Sequence, residues 1–152
     1  MGAEQLFHVG VKALVMNDKS EILVLKANPK ELTQTKGGVP VHWDLPGGRV
    51  KEGDSIEVTL KKELNEELGI NADDAMIGGL FDASISHLKV PVGNAEVALM
   101  LLTYVCTLRE TKTFSLSFEH TEYRWVSIDE AKSLLATKFA PSFVDKLDEL
   151  RF

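Results

Sequence analysis

Cysteine is nearly absent from this chain of 152 residues, long apolar runs are missing, and basic residues are outnumbered. The single Cys106 excludes an internal disulfide framework and suits a reducing compartment. The longest purely apolar run, Val97 to Leu102, has six residues, against the roughly 20 needed to span a bilayer. The opening stretch MGAEQLFHVG has no basic segment leading into an apolar one, so no secretory signal is expected. Leu6 stands where a myristoylation motif wants Ser or Thr. A cytoplasmic protein without a membrane partner is the expectation. With 17 Lys+Arg against 23 Asp+Glu, the net charge of −6 gives no general attraction to a nucleic-acid backbone.

The acidity is unevenly placed. Residues 52 to 67 carry Glu52, Asp54, Glu57, Glu63, Glu66 and Glu67 against Lys61 and Lys62, a local charge of −4 that leaves only −2 for the rest of the chain. The length fits one domain over 1–152. Residues 7–16 and 21–26 predict a strand pair joined at Asn17-Asp18-Lys19-Ser20. Residues 27–42, with Pro29, Gly37, Gly38 and Pro40, predict a long loop, a length that points to function or disorder. The clearest helix follows Trp43-Asp44-Leu45-Pro46-Gly47-Gly48. Asp54 is its expected N-cap with Glu57 completing a capping box, Ile56, Leu60, Leu64 and Leu68 form the buried stripe, and Gly69 ends it. Strands are predicted around 76–87, 96–108, 113–118 and 123–126. A helix capped by Ser127, with Glu130 at its third position, and a last helix starting at Pro141 with an apolar face of Phe143, Leu147 and Leu150 complete the chain. Strands and helices interleave without a regular βαβ order, which predicts an α+β sandwich with a mixed β-sheet between helices.

On the acidic helix, Glu63, Glu66 and Glu67 stand at i, i+3 and i+4, a carboxylate patch expected roughly opposite Leu60 and Leu64. Such a patch is most often a solvated face, eased here by Lys62. The Gly47-Gly48 turn in front changes the balance, because it brings backbone close to whatever the helix binds. Carboxylates with a carbonyl form an all-oxygen, hard donor set suited to Mg²⁺ or Mn²⁺. A cation held there inverts the local electrostatics, so a small diphosphate arriving with the metal is attracted.

These residues resemble a known family. Gly48 to Ile70 is similar to the Nudix box, G-x5-E-x7-R-E-U-x-E-E-x-G-U with U aliphatic, in spacing throughout and in seven of nine specified positions. The departures are Asp54 for Glu and Lys62 for Arg. The resemblance implies a Nudix-like α/β/α sandwich and Mg²⁺-dependent hydrolysis of a nucleoside diphosphate linked to another moiety. Nucleoside triphosphates, dinucleoside polyphosphates and nucleotide sugars are all open. By position it implies Glu66 and Glu67 as the main metal carboxylates, Glu63 as a further ligand or base, and the Gly48 carbonyl as a ligand. The family's Arg is held to orient the glutamates through a planar fork, which Lys62 lacks. The competing expectation is a catalytically weak nucleotide-binding or regulatory module. The family contains monomers and dimers, so a homodimer is open.

Beyond the box, the run Ser117 to Trp125 resembles that of dinucleoside-tetraphosphate hydrolases, which favours Glu119 over Glu122 as an extra metal ligand or base. Arg49 is a candidate for a phosphate contact. Trp43 and Tyr123, with Phe7 and Phe81, are candidates for stacking on a base, against the usual place of aromatics in a core. His8, His42, His87 and His120 have no zinc spacing and are not expected to hold metal. The 27–42 loop and an 87–95 turn are expected to set the substrate.

Overall fold

A computed structural model describes residues 2–32, 40–110 and 113–151. Gly37 and Gly38 of the expected long loop lie outside them. β1 (Phe7–Val15) and β2 (Ile22–Ala27) are joined by a turn in which the Asn17 side chain accepts hydrogen bonds from the N–H groups of Lys19 and Glu21. The expected hairpin stops at one bridge, Met16 to Ile22, after which the strands part into different sheets. β1 instead pairs in parallel with β6 (Ala95–Leu108) along its whole length, from Phe7 opposite Ala98 to Val15 opposite Cys106.

One sheet is four-stranded and mixed, in the order β4-β1-β6-β5, with β4 (Gly47–Arg49) and β5 (Ala75–Val92) as its edges. The other is antiparallel, β3-β2-β7, with β3 at Trp43–Asp44 and β7 at His120–Val126. β5 runs farther than expected, so the turn placed at 87–95 shrinks to the two residues between β5 and β6, where Gly93 takes φ 61°.

The layering follows from period-two alternation on strands buried on both faces. Val11, Ala13 and Val15 of β1 and Leu23 and Leu25 of β2 pack with Leu60, Leu64 and Leu68 of α1 (Ile56–Leu68). Leu14, Ile22 and Val24 point the other way, against Leu135 of α2 (Ile128–Leu135), Phe143 of α3 (Pro141–Lys146) and Phe139 between them. The imperfect alternation of Phe7–Met16 is thus two-sided burial. Truncating one of these leucines to alanine is worth about 2–5 kcal/mol.

Three local expectations change. The N-cap of α1 is Ser55, whose Oγ accepts from the Val58 N–H at 3.1 Å. Asp54 lies one residue too early, and its carboxylate pairs with Lys62 instead. Residues 113–118 are not a strand. The N–H groups of Ser115 and Ser117 donate to the carbonyls of Leu68 and Glu67 at 3.1 and 3.3 Å, satisfying helix-end acceptors that would otherwise be orphaned. The caps at Gly69 (φ 73°) and Ser127, and the proline start of α3, are as the sequence predicts.

Candidate active site

The site begins with the two glycines of β4. Gly47 has φ 149°, and a Cβ on it would lie 2.0 Å from the Val11 carbonyl oxygen, so only glycine fits. Its N–H donates to Glu67 Oε1 at 2.7 Å. A Cβ on Gly48 would lie 2.4 Å from the Glu63 carboxyl, so the glycine makes the room that this side chain occupies. The glycine pair therefore seats two glutamates of α1 against the edge of the sheet.

Glu67 is 2% exposed. The expectation that the helix carboxylates stand opposite Leu60 and Leu64 fails for it. At about 100° per residue, position 67 falls only about 20° from position 60, at the border of the buried stripe. Glu63 is half-buried and Glu66 exposed, so the three carboxylates occupy graded depths. Burial raises the Glu67 pKa to about 8, against the pull of Lys12 and the Gly47 N–H. Burial, then the charges of Glu66 and Glu119, raise that of Glu63.

The segment tied to the end of α1 delivers Glu119 and His120. Single donor atoms of Glu67, Glu119 and His120 lie within 4.8 Å of one another. His120 Nδ1 is 3.4 Å from Glu67 Oε2, yet it is buried without a hydrogen bond. Burial lowers its pKa to about 4, so near neutral pH the ring is uncharged. A buried carboxyl whose pKa burial raises, beside a ring nitrogen without a hydrogen bond, is a donor set that a cation would satisfy. These residues fit a divalent ion. His120, which spacing did not mark as a ligand, thus stands among the candidate donors. The spacing rule fails because the partners come from α1 and β7.

Behind this group lies a buried trio. Asp44 Oδ2 accepts from Lys12 Nζ at 2.9 Å and from Lys138 Nζ at 2.5 Å. Burial alone would raise the Asp44 pKa, but the two ammonium groups outweigh it and hold the carboxyl far below the carboxylate range. Burial pulls Lys12 down, and Asp44 with Glu67 more than restores it. One carboxylate cannot serve two ammonium groups fully, and Lys138 bears the deficit at about 8, lowered by burial and by Lys12. None of the three was singled out in the sequence. A lysine inside the apolar run Val11–Val15 was the available signal for Lys12.

A cavity of about 280 Å³ joins the two groups, lined by Gly47, Gly48, Glu67 and Glu119 together with Lys12 and Lys138. Arg49 stands at its rim, with Nη1 3.3 Å from His8 Nδ1. Glu66 lines a separate surface depression with Lys62 and Asn65. Glu122 pairs with Lys26 and Arg124, away from the cavity. Tyr123 packs edge-on against Phe114, ring centroids 5.1 Å apart, in the core. Trp43 lies under the Arg124 guanidinium at 4.8 Å. Neither aromatic is among the residues lining the cavity.

The NUDIX domain profile matches residues 6–147. The asymmetrical bis(5'-nucleosyl)-tetraphosphatase of Sus scrofa is 32% identical over 111 residues, covering 70% of this chain and 69% of that protein. Nucleoside triphosphatase NudI of Klebsiella pneumoniae is 24% identical over 83% of this chain and 86% of its own. Among solved structures, the MutT protein of Methanosarcina mazei superposes with a TM-score of 0.68 at 26% identity, over 98% of this chain and 96% of that one. The chain belongs to the Nudix hydrolase family.

Proposed function

We propose that the described residues form one catalytic domain that hydrolyses a phosphoanhydride bond in a nucleoside diphosphate derivative, with Mg²⁺ or Mn²⁺. The observation that carries this reading is the buried Glu67, whose Oε1 is held by Gly47 while Oε2 faces His120 and Glu119. Glu67, Glu119 and His120, with Glu63, Glu66 and the Gly48 carbonyl, would hold the metal. When bound, the metal neutralises phosphate oxygens and lowers the pKa of a water.

Hydrolysis adds water across P–O–P. The water oxygen bonds to phosphorus, the bridging bond breaks, and a carboxylate takes the water proton. Glu119, which lines the cavity, and Glu63, whose carboxyl lies against Gly48 of the lining, have that capacity. Arg49 at the rim steers the phosphate chain. Trp43 and Tyr123 act on the substrate only through the residues they support, since both are packed elsewhere.

The relatives' names supply two substrate classes to try, dinucleoside polyphosphates and nucleoside triphosphates, and the family resemblance adds nucleotide sugars. Among the described residues no helix is long and apolar enough to cross a membrane. Cys106, buried with its pKa pushed up to about 12 by burial, suits a reducing cytoplasm. A turnover screen across the three classes, in Mg²⁺ or Mn²⁺ and then in excess chelator, tests the reading. Metal-dependent release of nucleotide in at least one class supports it. Calorimetric binding of nucleotides without turnover in either ion overturns it in favour of a binding module.

A further inference from the structure

The Lys12–Asp44–Lys138 trio has one cation more than a structural ion pair needs. A buried charge is tolerated when paired and hydrogen-bonded, and a second ammonium on the same carboxylate is uncompensated. The extra cation is Lys138. Its side chain is 13% exposed, it belongs to the stretch between α2 and α3, and it lines the same cavity as Glu67. The fold also holds its backbone in place. The Lys138 carbonyl accepts from Ser86 Oγ at 2.8 Å and from the His87 N–H at 2.9 Å, tying this connection to β5. A side chain fixed at its backbone and at Asp44 is preorganised, so little entropy is lost when it meets a ligand.

From this geometry we propose that Lys138 is a substrate-binding residue, whose ammonium takes a phosphate oxygen of a ligand in the cavity that Glu67 and Glu119 also line. The mixed charge of the lining supports it. The same cavity is lined by the carboxylates of Glu67 and Glu119 and by the ammonium groups of Lys12 and Lys138. A diphosphate in that cavity can place some oxygens toward the cation-binding carboxylates and others toward an ammonium group. The ligand anion then supplies the negative charge that Asp44 alone does not. Lys12 spends two donors on Asp44 at 2.9 Å and the Leu45 carbonyl at 3.4 Å, whereas Lys138 spends one on Asp44, so more free donors remain on Lys138. An ammonium carries three.

This inference deepens the proposed function and names a contact in the same site. Its test does not depend on turnover. Binding of ADP and of inorganic pyrophosphate is measured by calorimetry on the full chain in chelator, for wild type, Lys138→Met and Lys138→Arg. A charge-assisted hydrogen bond predicts about a 10- to 100-fold weaker Kd for Lys138→Met, with Lys138→Arg retaining part of the affinity. Unfolding curves report whether each variant is folded. In the presence of metal and a turned-over nucleotide, Lys138→Met raises KM by a similar factor and leaves kcat within about threefold. Equal affinity of folded Lys138→Met and wild type for both probes overturns the proposal, as does a wild type that binds neither. If Lys138→Met does not fold, Lys138→Arg carries the decision: unchanged affinity for both probes overturns the proposal, and an altered affinity for either supports it. Lys138-dependent binding by a protein that never turns over sinks the hydrolase reading and leaves this one standing. Turnover with an unchanged Lys138→Met does the reverse.

Discussion

Lys62 and Asp54, the two positions at which the box departs from the family pattern, are bonded to each other, with Nζ 3.1 Å from Oδ2 and 3.3 Å from Oδ1. The shortened acid and the fork-less base thus answer one another. The role of orienting the glutamates, expected from the family's arginine, is not what this lysine does among the described residues. Lys62 is 58% exposed, so the pair is a surface ion pair worth about 0.2–1 kcal/mol. Lys62→Met should lower stability in urea by no more than that and leave kcat within a few-fold. A hundredfold fall in kcat would restore Lys62 to the catalytic machinery.

Asp44 is the only carboxylate bonded to the two buried lysines among the described residues. Asp44→Asn keeps the shape and removes the charge, leaving both ammonium groups buried and unpaired. The loss expected in a denaturant titration is about 3–5 kcal/mol. Adding Lys138→Met should recover part of it, so the double variant is more stable than the sum of the single changes. Strict additivity would mean that the trio is not electrostatically coupled.

The adjacent glycines are predicted to fail differently. At Gly47 an added Cβ meets backbone, the Val11 carbonyl oxygen at 2.0 Å, at φ 149°. Gly47→Ala should destabilise the fold by about 3 kcal/mol or more. At Gly48 the obstacle is the Glu63 carboxyl, the far end of a flexible side chain. Gly48→Ala should keep its thermal midpoint to within a few degrees and lose activity, because Glu63 has to swing away. Equal stability of the two variants would contradict the account of the turn.

Glu67 gives the metal-free protein a pH signature. Its carboxyl titrates near 4.5 when unfolded and at about 8 when folded. Between those values the native state holds a proton that the unfolded state has released, so stability falls as pH rises. His120, with its folded pKa lowered to about 4, contributes the opposite slope below pH 6.5. The clean window is therefore pH 6.5 to 8. There the thermal midpoint in chelator should decline, and Mn²⁺ at pH 8 should raise it. Glu67→Gln should flatten the decline and abolish the Mn²⁺ gain. A midpoint that rises through this window in wild type would show that Glu67 is ionised without a cation.

How legible all this was follows the physics of range. The stripe Ile56, Leu60, Leu64 and Leu68, the αL stop at Gly69 and the Ser127 cap are set by neighbours within one or two turns, and they stand where the pattern puts them. The hairpin at Asn17 and the strand at 113–118 failed because their partners are distant. β1 is claimed by β6, and the N–H groups of Ser115 and Ser117 by the end of α1. Within the site, the box marked Glu63 and Glu67 by spacing. His120, Asp44 and Lys138 are brought in from β7, β3 and the α2–α3 connection, and no spacing encodes such a meeting. The stacking role considered for Tyr123 gave way to burial against Phe114, the ordinary fate of an aromatic on a strand.

The measurement that tests the central claim most directly is nucleotide turnover by Glu67→Gln in saturating Mg²⁺. The amide preserves the shape and an acceptor for the Gly47 N–H, so the fold survives while the charge for the cation is gone. The account predicts a fall in kcat of about a hundredfold or more, in a protein that remains folded. Turnover unchanged from wild type would contradict it.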